Sequence, residues 1–101
     1  MIKTAYNPII DTTYKMIISN NEEEIKSYLC ENINDFSPIF FQSNGETYYK
    51  NKTVIMWAKQ IPSAIHELVH GAWMPYENLG FKFDDELLAY TMKFLYNELI
   101  C

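Results

Sequence analysis

Thr53-Val54-Ile55-Met56-Trp57 and, after four intervening residues, Pro62-Ser63-Ala64-Ile65-His66-Glu67-Leu68-Val69-His70-Gly71-Ala72-Trp73 decide how this chain is read. The first run is rich in β-formers without helical spacing, so it reads as the most apolar strand of the chain. The second reads as a helix over 62–73. Pro62 suits a first turn, where the missing N–H costs nothing, and Met74-Pro75 supplies the stop. His66 and His70 are the only histidines in the chain. Being four apart, they share one helical face, while Leu68 and Val69 point to the opposite, core side.

Two imidazoles at this spacing can reach one metal ion, with Glu67 beside them as a general base. If His is ~2% and Glu ~6% of residues, a chance His-Glu-x-x-His in a chain this short arises in well under ~1% of cases. Two histidines do not hold catalytic zinc, however. A third protein ligand is needed, leaving the fourth position to water. With no further His and no Cys nearby, the candidates are the carboxylates of Glu77, Asp84, Asp85 and Glu86. Glu86 is the expected ligand, on a later helix that the intervening loop can fold back.

Working outward, Thr12–Ser19 reads as a strand. Ser19-Asn20-Asn21 offers N-caps, each with a glutamate three residues on, for a helix ending near Asn34. Its apolar stripe is Ile25, Tyr28, Leu29 and Ile33, with Cys30 as a small buried thiol. Pro38–Phe41 reads as a strand, Asn44-Gly45 as a type I′ turn, and Glu46–Lys50 as the returning strand. Asn51-Lys52 turns into strand 53–57. After an irregular stretch over 76–83, Asp84 caps a final helix running to the C-terminus. The fold class is α+β: strand, helix, three-strand meander, histidine helix, final helix.

With 101 residues, 49% hydrophobic, and without repeats or linkers, the chain has room for one domain, 1–101. The eight tyrosines suit a well-filled core and also populate interaction surfaces. All eight positive charges are lysines and the net charge is −5, which argues against a nucleic-acid partner. Glu22-Glu23-Glu24 reads as a solvated helix start. Neither a signal peptide nor a membrane span is visible, and Cys30 and Cys101 form no disulfide or zinc framework, so a cytoplasmic location is expected.

The pattern His66-Glu67-Leu68-Val69-His70, then Glu86-Leu87-Leu88-Ala89 on a following helix, resembles the gluzincin group of zinc metallopeptidases. Residues 62–95 are similar, more narrowly, to short HExxH proteins of tailed bacteriophages and prophages. The layout resembles a minimal zincin-like domain: a small antiparallel or mixed sheet, a backing helix at 21–34, a substrate-facing edge strand at 53–57, the active-site helix and a glutamate helix. The resemblance implies Zn2+ held by His66, His70 and Glu86, with Glu67 activating zinc-bound water against a peptide bond and Tyr90 stabilising the oxyanion. It implies a protein or peptide substrate, a host-cytoplasm or virion setting, and no membrane. Asp85 is a candidate to orient a histidine, and Trp57 and Trp73 are core residues or groove walls. Two other readings are a zinc-binding or virion-associated scaffold with little hydrolysis, and a metal-free α+β adaptor. Oligomeric state is left open.

Overall fold

The structure, a computed structural model, describes residues 2–33 and 43–101. The architecture is α+β with a mixed sheet. The elements are β1 (Ile2–Asn7), β2 (Thr12–Ile18), α1 (Glu22–Asn32), β3 (Gly45–Lys50), β4 (Thr53–Ala58), α2 (Ile61–Asn78) and α3 (Asp85–Leu99). The strand order is β1-β2-β4-β3. β2 and β4 are parallel, Met16 opposite Met56, and the outer pairs are antiparallel.

Alternation along the central strands builds two cores, one on each face. Tyr14 and Met16 of β2 join Val54, Met56 and Ala58 of β4 against Ala64, Leu68 and Ala72 of α2 and Leu95 and Leu99 of α3. Ile17, Ile55 and Trp57 point the other way and pack on Ile25, Tyr28 and Leu29 of α1. Trp57 is therefore sealed beneath α1, on the face away from α2. α2 lies close on the sheet because Gly71 has no side chain: a Cβ there would stand 2.8 Å from Met56 Sδ and 3.0 Å from a Val54 methyl.

Several expectations need correction. β1 was not anticipated; it pairs with β2 along its whole length. Gly45 is not the second residue of a type I′ turn but the first of β3, and it lacks a positive φ. The turn expected at Asn51-Lys52 is present and left-handed, with φ of 52° and 60°, and joins β3 to β4. The strand expected at 38–41 lies outside the described residues. α2 continues through Pro75 and ends in a Schellman motif. There Gly80 N–H bonds to Glu77 O, Phe81 N–H bonds to Tyr76 O, and Gly80 has a φ of +86°. The rings of Tyr76 and Phe81, 5.3 Å apart, add the apolar contact that accompanies this cap. Cys30 is exposed. The helix caps at Asn21 and Asp84 stand where the sequence places them, each side chain accepting two backbone N–H groups.

Candidate functional site

The helical spacing of His66 and His70 brings their Nε2 atoms to 3.3 Å, with the rings edge to face at 4.9 Å. Both side chains are exposed. One ring donates and the other accepts, according to tautomer. Glu67, one step round the helix, turns under β3. It is 7% exposed, and its Oε1 accepts a 2.7 Å hydrogen bond from Thr47 Oγ1, which also lies 3.2 Å from the Glu67 carbonyl. Oε2 has no hydrogen-bond partner among the described residues.

Strand alternation explains this arrangement. Thr47 stands opposite Met56, so Gly45 and Thr47 share the sheet face that α2 covers. Gly45 makes room for the carboxylate: a Cβ there would sit 2.8 Å from Trp57 O and 3.2 Å from Glu67 Oε2. Two adjoining hollows follow. One, of about 410 Å³, is lined by Asn44, Gly45, Pro62, Ser63, His66 and Glu67. The other, of about 360 Å³, is lined by Gly45, Glu46, Thr47, His66, Glu67, His70 and Met74. They share Gly45, His66 and Glu67, forming one groove between β3 and α2 with no lysine among the described residues that line it.

The expected zinc centre is not assembled. Among the described residues no group of three or more His, Cys, Asp or Glu side chains is placed to hold a metal ion. Glu67 is committed to Thr47. Glu86 is exposed in the first turn of α3, where its N–H bonds to Asp84 Oδ1 at 2.9 Å. Asp84 and Asp85 share that exposed helix start, and Glu77 is exposed at the end of α2. The zincin-like and gluzincin resemblance, the metallopeptidase or zinc-scaffold function, the zinc-enzyme reading and Zn2+ as cofactor all depend on that centre and are corrected here. Tyr90, 70% exposed, lines a separate hollow with Asn7, Ile9, Tyr76, Leu87, Thr91 and Phe94. Trp73 stacks edge-on to Phe83 at 5.2 Å.

Comparison with protein families, curated proteins and solved structures yields no match. The bacteriophage and prophage resemblance thus has no support beyond the motif that suggested it. Among the described residues no helix is long and apolar enough to cross a membrane.

Sequence reading placed His66, Glu67 and His70 together but missed Gly45, Thr47 and Ser63. Thr47 left a usable signal. A threonine two residues after a glycine, within a strand that precedes the apolar one, falls on the same face as that glycine.

Proposed function

We propose that the chain is a protein-binding module whose β3–α2 groove takes an extended segment of a partner, with a lysine or arginine of that segment set against Glu67. Glu67 carries the reading. Its carboxylate is nearly buried, yet only one of its two oxygens is hydrogen-bonded among the described residues. The other oxygen, Oε2, faces the groove that Glu67 lines. A cationic donor entering the groove meets it with a charge-assisted hydrogen bond.

The shape fits the same occupant. From Pro62 to Met74 the α2 wall rises about 18 Å, the span of some five or six residues of extended chain. His66 and His70 offer hydrogen-bonding nitrogens along it, and Pro62 and Met74 offer apolar contact. A contact this short belongs to the weak, transient class of interface.

The test is a titration of blocked alanine-based hexapeptides that differ at one central position. The lysine and arginine peptides are expected to saturate the protein, with the norleucine peptide at least about tenfold weaker, as loss of a charge-assisted hydrogen bond implies. Glu67→Gln should remove most of that difference while circular dichroism stays unchanged. Equal binding of lysine and norleucine peptides would overturn the assignment.

A further inference from the structure

The hollow that Tyr90 borders shares no residue with the β3–α2 groove, and its chemistry differs. Ile9, Leu87 and Phe94 give it apolar walls, and its volume is about 270 Å³. Ile9 stands 87% exposed on the β1–β2 connection, and Tyr90, 70% exposed, borders the same hollow. The floor is polar and buried. Asn7 Nδ2 donates to Tyr76 Oη at 3.3 Å, and Tyr76 Oη lies 3.1 Å from Thr91 Oγ1.

A count of donors decides what the floor needs. Tyr76 Oη already accepts from Asn7, so the Tyr76–Thr91 contact uses one of the two hydroxyl hydrogens. If Tyr76 donates, the Thr91 hydrogen is left over; if Thr91 donates, the Tyr76 hydrogen is. Among the described residues neither has another acceptor. Tyr14, fully buried on β2 beside Asn7 and Tyr76, likewise has no acceptor for its hydroxyl hydrogen among the described residues. The floor is thus rich in donors and short of acceptors.

We infer that this hollow binds a small, largely apolar molecule bearing one hydrogen-bond acceptor, a carbonyl or ether oxygen that takes the spare hydroxyl hydrogen of the Tyr76–Thr91 pair. The apolar body lies against Leu87 and Phe94, and Ile9 closes over it.

The test compares cyclohexanone with methylcyclohexane, two probes of about seven non-hydrogen atoms each, by NMR titration of the full chain. Ligands of this size bind in roughly the millimolar range. Cyclohexanone is expected to give saturable shifts at Ile9, Leu87 and Thr91, and to bind roughly fivefold more tightly than methylcyclohexane, the worth of one hydrogen bond. Ile9→Ser, a change at an exposed position that leaves the fold intact, should weaken both probes about equally. No saturable shift at these residues, equal affinity for the two probes, or binding indifferent to Ile9→Ser would each overturn the inference.

Discussion

At the scale of single residues, the site rests on Thr47 and Gly45 as much as on the residues of the motif. Thr47→Val keeps the shape of the side chain but strips Glu67 of its hydrogen bond. It should destabilise the protein by about 1–3 kcal/mol, read as a lower urea midpoint with unchanged slope. Gly45→Ala should cost at least as much. Its Cβ would meet the Trp57 carbonyl at 2.8 Å, and backbone cannot swing aside as a side-chain end can. The histidine pairing was legible because i,i+4 spacing is a local property of one helix. The presence of a third ligand was not, because it depends on how α3 returns to α2. The rarity of the motif bears on the first question and says nothing of the second.

At the scale of elements, α2 shows how local signals compete. Met74-Pro75 reads as a stop, yet the helix continues to Asn78, because the Schellman cap at Gly80 and the Tyr76–Phe81 ring contact secure an end one turn later. Nothing lies within 4 Å of a Cβ placed on Gly80, so Gly80→Ala isolates the backbone cost of its +86° φ. A loss of about 1 kcal/mol is expected, and thermal unfolding of the variant measures it. The turn between β3 and β4 teaches the converse. Asn-Gly is the stronger I′ signal, yet Gly45 is needed inside the strand to clear Trp57 O and Glu67, whereas Asn51-Lys52 forms the left-handed turn into β4 that its sequence suggests. The capping residues Asn21 and Asp84, by contrast, were readable, since a cap is satisfied within its own first turn.

At the scale of the whole molecule, the order β1-β2-β4-β3 was beyond reach, because the parallel pairing of β2 with β4 joins strands separated by α1 and β3. That order leaves buried tyrosines on both faces of the sheet and makes the fold sensitive to alkali. Burial pushes Tyr14 up to about 12 from the ordinary 10.0. It raises Tyr28 as well, and Tyr48 through burial and the nearby Glu46 carboxylate. A raised value favours the neutral phenol in the folded state. Its contribution to stability is therefore complete below the unfolded-state value near 10 and is lost as pH rises toward and through about 12. Urea midpoints should fall across that window, with tyrosine ionisation, followed by ultraviolet absorbance, delayed until unfolding. Ionisation near 10 with an unchanged midpoint would show these phenols to be solvated.

The most direct test of the groove is a heteronuclear NMR titration with the lysine hexapeptide, followed at the amides of Gly45, Thr47, Ser63, Glu67 and His70. Saturable shifts confined to β3 and the facing side of α2, and abolished by Glu67→Gln, are the predicted result. Shifts located elsewhere, or unaffected by Glu67→Gln, would contradict the claim that this groove receives a basic segment of a partner.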